Sequence, residues 1–570
     1  MLHELYIAAE QGRFLLDSES VFARVFNHGS SSTVTALHSH LLTLCRTPRS
    51  LNDHAYAVAP FMPDHLHVED VCAMLEDLAD AGLLVPVEFE PVPLALPEER
   101  AVSQLIIPTR DRPELVARLA DSMAVANPAT TPPITIVDDS DTPTRPGESS
   151  RVYIHVPDRL DAAGPFASLH AGGLAPDTVR FALIGDRRCP PSLGAMRNTN
   201  YLLGAGQRVV TMDDDTVAVG FRTAAPGTAV RFTGSRDEPV FEFASDRASL
   251  LESYELSPLD PVAASEEWLG RQMPGTDSDL SSVTPELFHA LTSHHPTIDV
   301  VCHGTIGDGG LGVRHFVLQA TGAQRERCVR DAETYRVSST SREMLRSVTA
   351  PTVLSYPYLM STVMGLDCRV LLPPSFPFGR GDEGLFARMM YHLFDDSLIL
   401  QAPTVFLHSP PDDATHRASP WFTELPVRVC SLLQSILDTY PKPPGGTRAD
   451  RLISFGEWLR AHTARLSDRE FTDWLTGVHF RYLAAYHRSL DELLDRYDES
   501  PDYWAKDVLA LQANVMSQLE AGSLGPVIEY EPLSLSREDE HRLLKTHFAA
   551  YAEVLIAWPA MFMSLCADPA

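Results

Sequence analysis

A regular alternation of short apolar runs with amphipathic stretches limits most what this chain can fold into. It covers the region from Ser103 to Met212. The pattern predicts three strands and two helices, namely strands Ser103–Ile107, Ile134–Val137 and Val209–Met212 and helices Pro113–Ala124 and Leu193–Gly204. Such alternation is typical of a mostly parallel sheet with helices on its faces. The expected fold class is therefore α/β.

Acidic side chains follow two of these predicted strands directly. ITIV is followed by Asp138 and Asp139, and RVVTM by Asp213, Asp214 and Asp215. Because the carboxyl ends of parallel strands line one crevice, we expect these acids to share a cleft. Clustered carboxylates repel one another unless a cation neutralises them, and Mg²⁺ or Mn²⁺ has the required preference for oxygen ligands. The alternative is that the Asp triplet is a solvated turn.

Charge and composition exclude several classes of protein. The chain has 46 Lys and Arg against 76 Asp and Glu, a formal net charge of −30, which repels nucleic-acid phosphates and anionic membranes. No apolar run approaches the roughly 20 residues of a membrane span, and the acidic start is unlike a signal peptide. The eight cysteines form no CxxC pair. We expect a cytoplasmic protein with free thiols.

Three domains are predicted along the chain. Residues 1–95 carry three short amphipathic helices in a winged-helix-like pattern, and residues 98–415 contain the α/β region with a long insert at about 220–370. Residues 420–570 are expected to be all-helical. Five amphipathic runs support this last expectation: Val427–Thr439, Arg451–Arg465, Asp468–Tyr497, Asp502–Glu520 and Ser536–Leu565.

Four motifs in the central region carry a resemblance to a known family. They are IIPTRDRPELVARLADSM, ITIVDDSDT, LGAMRNTNYLLGAGQRVVTMDDDT and GRGDEGLFARMMYHLFDDSLILQAPTVFLHSPP. In this order they resemble the nucleotide-sugar glycosyltransferases of family 2, whose Rossmann-like fold is called GT-A. The resemblance covers about residues 102–411. It implies a GT-A-like central domain that binds a nucleotide-sugar donor.

The resemblance also implies roles for the matching residues on the donor side. Asp138 or Asp139 would accept a hydrogen bond from the nucleobase, most often uracil, and Arg197 would approach the diphosphate. The other residues implied at the nucleotide are Pro108, Thr109, Arg112 and Asp214. Asp213 and Asp215 would form a DxD pair at Mn²⁺ or Mg²⁺, and His408 would be a further metal ligand or a diphosphate contact.

An acidic pair is the implied source of the catalytic base. An inverting transfer needs a carboxylate that takes the proton of the acceptor, and here Asp382 and Glu383 stand at the start of a predicted helix. Their order is the reverse of the usual Glu-Asp order in the family, so the base is either of the two. The alternative is that both acids complement the helix dipole.

The stretch between Asp215 and Gly379 is longer than the family usually needs. We expect this inserted material to cover the acceptor side as a specificity element or lid. Within it, GTIGDGGLG at Gly304–Gly312 lacks the GK[ST] of a phosphate loop and is predicted to be a flexible loop.

The N-terminal unit is more acidic than a DNA-binding module can be. Residues 1–95 contain four Arg against thirteen Asp and Glu, so DNA would be repelled. FLLDSESVFARVF, ALHSHLLTLCRTPRSL and VEDVCAMLEDLADAGLL loosely resemble the PqqD-like domains, in which a strand edge pairs with a peptide. A structural or dimerising accessory domain is the alternative.

Together these features predict a metal-dependent inverting glycosyltransferase. It would transfer a sugar from a nucleoside-diphosphate donor, with a UDP-sugar expected, to a peptide or natural-product acceptor. Two alternatives stay open: a nucleotidyltransferase on a similar sheet, and a non-catalytic scaffold that binds a nucleotide sugar or a peptide. The sequence leaves the oligomeric state open.

Overall fold

The structure is a computed structural model of the 570-residue chain. It describes residues 5–9, 11–15, 20–25, 31–63, 65–87, 101–127, 132–140, 152–155, 160, 164–310, 314–411, 422–443, 445–498 and 501–566. These residues form a mixed α/β protein, which confirms the predicted fold class.

The N-terminal unit combines short strands with three helices. A two-stranded sheet pairs the antiparallel strands β1 and β5, and a second antiparallel sheet has the order β2-β3-β4. The elements are β1 (Tyr6–Ala8), β2 (Gln11–Leu15), β3 (Ser20–Val25), β4 (Ser31–Thr35), α1 (Ala36–Leu44), α2 (Leu51–Val58), α3 (Val68–Asp80) and β5 (Leu84–Pro86). Ser50 caps the N-terminus of α2, because its side chain accepts the Asp53 N–H at 3.1 Å.

The centre of the molecule is a sheet to which the described residues contribute 14 strands. They are β6 (Gln104–Thr109), β7 (Ile134–Asp138), β8 (Val152–His155), β9 (Arg208–Met212), β10 (Thr216–Arg222), β11 (Val230–Thr233), β12 (Val240–Phe243), β13 (Ser257–Pro258), β14 (Ser278–Ser282), β15 (Thr297–Asp308), β16 (Glu343–Ser347), β17 (Thr352–Leu354), β18 (Val363–Asp367) and β19 (Ser397–His408). The main path is β14-β11-β17-β19-β15-β18-β9-β6-β7-β8. Strands β8, β7, β6 and β9 are mutually parallel, β18 is antiparallel to both β9 and β15, and β15 is parallel to β19.

Helices cover both faces of this sheet. They are α4 (Pro113–Ala126), α5 (Ala167–Ala171), α6 (Pro176–Ile184), α7 (Leu193–Leu203), α8 (Arg247–Glu252), α9 (Pro261–Glu266), α10 (Pro285–Ser293), α11 (His315–Leu318), α12 (Gly322–Val329), α13 (Ala332–Thr340) and α14 (Asp382–Leu393). Alternate side chains of β6 enter two different cores. Ile106 packs with α7 and α14, whereas Leu105 and Ile107 pack with α4.

Much of the long stretch at 220–370 belongs to the sheet itself. β15 and β18 both lie within this stretch, and both are interior strands. The expectation of a flexible loop at Gly304–Gly312 is wrong as far as Asp308, where β15 ends; residues 311 and 312 lie outside the described residues. The glycines serve close packing, since a Cβ on Gly304 would lie 2.6 Å from the Arg346 carbonyl oxygen.

Five helices follow the sheet, as the amphipathic pattern predicts. They are α15 (Val429–Leu437), α16 (Arg448–Arg465), α17 (Asp468–Arg496), α18 (Asp502–Glu520) and α19 (Arg537–Cys566). Within the described chain, α19 alone is long and apolar enough to cross a membrane, and half of its most apolar window is buried inside the protein. The core helix of a folded domain can have the same length and composition, so these two properties alone do not identify a membrane span.

Candidate active site

Parallel strands bring the predicted polar segments to one edge of the sheet. β6 pairs with β7 on one side and with β9 on the other, so the ends of all three strands meet there. Thr109, the last residue of β6, is in register with Asp138 at the end of β7. The acidic triplet follows β9 at the same edge. The sequence prediction of one shared cleft therefore agrees with the strand pairing.

The acidic triplet is bound to the end of β6 and the start of α4. The Thr109 hydroxyl donates to Asp214 Oδ2 at 2.7 Å, and Arg112 Nη1 lies 3.3 Å from Asp214 Oδ1 and 3.1 Å from Asp215 Oδ2. Asp214 and Asp215 are both buried. The alternative of a solvated turn is therefore wrong for these two residues.

A possible metal-binding group lies at the same place. One ligand atom from each of Asp213, Asp215 and His408 lies within 4.8 Å of the others. His408 ends β19, and its Nε2 is 2.9 Å from Asp215 Oδ1. Its Nδ1 donates to the Asp308 carbonyl at 2.5 Å, so the ring, once neutral, would keep its proton on Nδ1 and offer Nε2 to a metal ion.

Burial and repulsion leave this group electrostatically unsatisfied. Burial, and after it the charge of Asp215, raises the pKa of Asp213 to about 8. Burial would lower the pKa of His408, but the hydrogen bond and charge of Asp215, together with the Asp308 carbonyl and the charge of Asp213, outweigh burial and raise the pKa to about 9. Burial and Asp215 also raise the pKa of Asp214 to about 6. A divalent cation at this place would relieve the repulsion among the carboxylates and would displace the proton of His408.

The sequence matches no protein-family model and no curated protein. Among solved structures, the chain is similar to the mannosyltransferase PcManGT from Pyrobaculum calidifontis, which was solved in complex with GDP-Man and Mn²⁺. The two chains share 10% sequence identity, and the match covers 76% of this chain and 90% of the mannosyltransferase with a TM-score of 0.28. At this TM-score the likeness decides neither fold nor function.

The acidic pair opens α14 and shares one arginine from α7. Arg197 Nε lies 2.6 Å from Asp382 Oδ2, and Arg197 Nη2 donates to Glu383 Oε1 at 2.9 Å. The chain enters the helix through Gly381 at φ 91°, a conformation that favours glycine. Arg197, predicted at the diphosphate, is thus occupied by both candidate bases.

The two acids differ in exposure and in the direction of their pKa shifts. The Asp382 side chain is 3% exposed and the Glu383 side chain 30%. Burial raises the pKa of Asp382 despite the neighbouring Arg197. Burial also opposes ionisation of Glu383, but Arg197 and Ser361 prevail and lower its pKa. Of the pair, Glu383 is the carboxylate that solvent reaches.

The predicted nucleobase contacts are buried and already hydrogen-bonded. Asp138 accepts the Ser140 N–H at 2.9 Å and also the Ser140 hydroxyl. Asp139 accepts from Arg187 at 3.0 Å and from the Ser192 hydroxyl. Pro108, the other residue predicted on this side, is half-buried in β6.

Sequence reasoning missed several groups that surround the site. The Thr362 carbonyl accepts the Asp213 N–H at 3.0 Å, and Ser361 donates to Glu383. Arg118 Nη2 donates to the Asp215 carbonyl at 3.1 Å. Arg118 lies six residues after Arg112 on a predicted helix, and this spacing indicates only weakly that Arg118 reaches the site. Ser361 and Thr362 stand in no motif, because their place depends on the pairing of β18 with β9.

Proposed function

We propose that this protein is a metal-dependent glycosyltransferase that uses a nucleotide-sugar donor. The observation that carries the proposal is the group of half-buried Asp213 with buried Asp215 and His408 at the edge where β6, β7 and β9 end. The charges of Arg197 and Glu383 act on Asp213, so the candidate base belongs to the same electrostatic environment. A carboxylate-rich site beside an accessible base is what a metal-assisted group transfer needs.

The donor set fits a divalent cation. Two carboxylates and one imidazole nitrogen converge within 4.8 Å, and the bond of His408 to Asp308 leaves Nε2 for a metal ion once the ring is neutral. An imidazole ligand favours Mn²⁺ over Mg²⁺, which prefers oxygen ligands throughout. When bound, the ion supplies positive charge that stabilises the leaving diphosphate. Asp213, Asp215 and His408 would hold it.

The residues at the ends of β6 and β7 would hold the nucleotide. Asp138 or Asp139 would accept a hydrogen bond from the base, for which we propose uracil, and Thr109 would orient Asp214 beside the ribose. Arg112 would exchange one of its two carboxylate contacts for a phosphate oxygen.

Glu383 would act as the base of an inverting transfer. It would take the acceptor proton as the acceptor oxygen attacks the anomeric carbon from the side opposite the diphosphate. Its greater exposure supports this choice over Asp382. Asp382 would instead hold Arg197 in place, from where Arg197 stabilises ionised Glu383. A direct contact of Arg197 with the diphosphate stays a prediction.

We propose a peptide or natural-product hydroxyl as acceptor, with the N-terminal unit as a peptide-binding element. In the described part of this unit, β2 and β4 are the edge strands of a three-stranded antiparallel sheet. An edge strand can pair with an extended peptide through backbone hydrogen bonds.

The test is a screen of nucleotide sugars by thermal shift with and without Mn²⁺, followed by product analysis. We expect one nucleotide sugar to raise the melting temperature only when Mn²⁺ is present. With an acceptor, the product should be free nucleoside diphosphate. Release of pyrophosphate would identify a nucleotidyltransferase instead, and binding without turnover would identify a scaffold.

A further inference from the structure

One oxygen of Glu383 receives all the hydrogen bonds that the described residues give to this carboxylate. Oε1 accepts the Ser361 N–H at 2.9 Å, the Ser361 hydroxyl, and Arg197 Nη2 at 2.9 Å. The side chain is nevertheless 30% exposed. Among the described residues, no donor contacts Oε2. Oε2 is therefore the oxygen left for a ligand.

Ser361 connects this carboxylate to the metal-binding side of the site. The next residue, Thr362, accepts the Asp213 N–H through its carbonyl at 3.0 Å, and β18 begins at Val363. Ser361 is itself buried, with 5% of its surface exposed. Two consecutive residues thus contact both sides of the site: Ser361 donates to Glu383, and Thr362 accepts from Asp213.

We infer that Ser361 is a positioning residue, which holds Glu383 through Oε1 so that Oε2 receives the proton of the acceptor. This inference rests on the proposed glycosyltransferase function. In that step the acceptor oxygen bonds to the anomeric carbon, its proton passes to Oε2, and the bond from the anomeric carbon to the leaving oxygen breaks. The bonding electrons leave with the nucleoside diphosphate.

The proton transfer suits this arrangement of donors. Once Oε2 carries the proton, Oε1 becomes the carbonyl oxygen of the acid and can still accept from Ser361 and Arg197. The hydrogen bonds to Oε1 can therefore persist through the step. Because the Ser361 N–H and hydroxyl both donate to Oε1, they also restrict rotation of the carboxylate.

Several charged or titratable groups act on Glu383 besides Ser361. Arg197 approaches from α7, and Asp382 is its neighbour on α14. Asp213, Tyr358 and Cys302 are also electrostatically coupled to Glu383. Since none of these groups is altered in a Ser361 variant, a change in the ionisation of Glu383 would report the loss of the hydroxyl.

The experiment compares Ser361→Ala with Ser361→Thr. We expect Ser361→Ala to lower kcat about tenfold, with donor KM unchanged and the acidic limb of the pH profile moved to higher pH. Ser361→Thr keeps the hydroxyl and should recover most of kcat. Ser361→Cys replaces the alanine variant if that one does not fold.

Ser397→Ala is the matched control. Ser397 is also 5% exposed and donates to a buried carboxylate, Asp299, at 2.5 Å. It begins β19, whereas His408 ends that strand about 35 Å away. Its loss should leave kcat unchanged. Equal losses in both variants, or a Ser361→Ala variant with the kcat and pH profile of the natural protein, would overturn the inference.

A second readout separates this inference from the proposed function. If the natural protein transfers no sugar from any nucleotide sugar, the proposed function fails. Carbodiimide labelling of Glu383, followed by peptide mass spectrometry, then measures its ionisation without turnover. The pH of half-labelling should rise in Ser361→Ala and not in Ser397→Ala. An unchanged value would reject the positioning role.

Discussion

Two adjacent acids with a common partner have opposite ionisation behaviour, and the difference lies in their surroundings. Asp382 and Glu383 both contact Arg197, yet the pKa of Asp382 is raised and that of Glu383 lowered. Asp382 is buried with few compensating donors, whereas Glu383 accepts two further bonds from Ser361. Environment, and not residue type, therefore sets the direction in which the pKa of each carboxylate shifts.

Asp215→Asn tests the metal site at the level of one residue. We expect Mn²⁺ affinity, measured by calorimetry, to fall by more than about 100-fold, because removing even a group that only orients a ligand costs up to about 100-fold. Thermal stability should change little, since the lost contact to His408 is offset by less repulsion of Asp213.

Asp260→Asn is the control for that substitution. Asp260 caps α9 far from the acidic triplet in sequence, and Asn is an equally good helix cap. The control should bind Mn²⁺ like the natural protein. Unchanged affinity in Asp215→Asn would remove Asp215 from the metal site.

Binding of Mn²⁺ should depend steeply on pH. In the metal-free protein Asp213 has a pKa of about 8 and His408 of about 9, so below pH 8 both carry protons that a cation must displace. Affinity should rise by about tenfold per pH unit for each proton displaced, up to about pH 9.

Calorimetry in buffers of different ionisation enthalpy counts the protons that Mn²⁺ displaces. In His408→Asn the count should fall by one, and a pH-independent affinity would contradict the scheme.

The grouping of Asp213, Asp215 and His408 could be predicted only through a resemblance. His408 lies 193 residues from Asp215, and nothing in its local sequence marks it as a ligand. Ser361 could not be predicted at all, because its role comes from its spatial neighbour Glu383 and not from its sequence neighbours.

At the scale of elements, local periodicity predicted the C-terminal helices and the strands β6, β7 and β9 well. α16 to α19 begin and end within a few residues of the amphipathic runs, because a helix is specified by its own sequence. β15 was not predicted as a strand, and its second half was predicted to be a loop because glycine is common in loops. That glycine is needed for contact with neighbouring strands, which no local pattern reveals.

Gly194 tests how α7 holds the site. A Cβ at this position would lie 1.7 Å from the Phe376 carbonyl oxygen, so Gly194→Ala should push α7, and Arg197 with it, away from the sheet. We expect a loss of about 3 kcal/mol in the free energy of unfolding, measured with urea. Gly477→Ala is the control. Gly477 lies in α17 with nothing within 4 Å of the added Cβ, and this variant should gain about 1 kcal/mol. Equal changes in the free energy of unfolding for the two variants would contradict the close contact between Gly194 and the Phe376 carbonyl.

At the scale of the molecule, one apolar core joins the sheet to the C-terminal helices. It contains residues of β6, α7, α14, α16 and α19. Trp558 Nε1 donates to the Leu372 carbonyl at 2.8 Å, and the Tyr551 hydroxyl donates to the Pro374 carbonyl at 2.7 Å. Through these contacts α19 supports the segment that leads into the acidic pair. The predicted domain boundaries stay predictions.

Stability of the metal-free protein should fall as pH rises from 7 to 9. The raised pKa of His408 stabilises the fold below its unfolded pKa of about 6.5, and this contribution is lost as pH approaches 9. Asp213, with its pKa raised to about 8, also keeps a proton in the folded state that the unfolded chain has released. The buried histidines with lowered pKa values affect stability only below about pH 6.5. Melting temperatures across this range check the trend, and saturating Mn²⁺ should reverse it. A melting temperature that rises from pH 7 to pH 9 without metal would contradict the raised pKa values of His408 and Asp213.

The pairing of β18 with β9 joins residues about 150 positions apart, since Met364 lies opposite Thr211. Contacts of such long range form late when a chain folds, because a large loop must close first. The contacts of Thr362 with Asp213 and of Ser361 with Glu383 in the candidate site depend on this closure. On dilution from urea, the circular dichroism of the helices should return before Mn²⁺ binding does, so the cation would serve as a reporter of completed refolding.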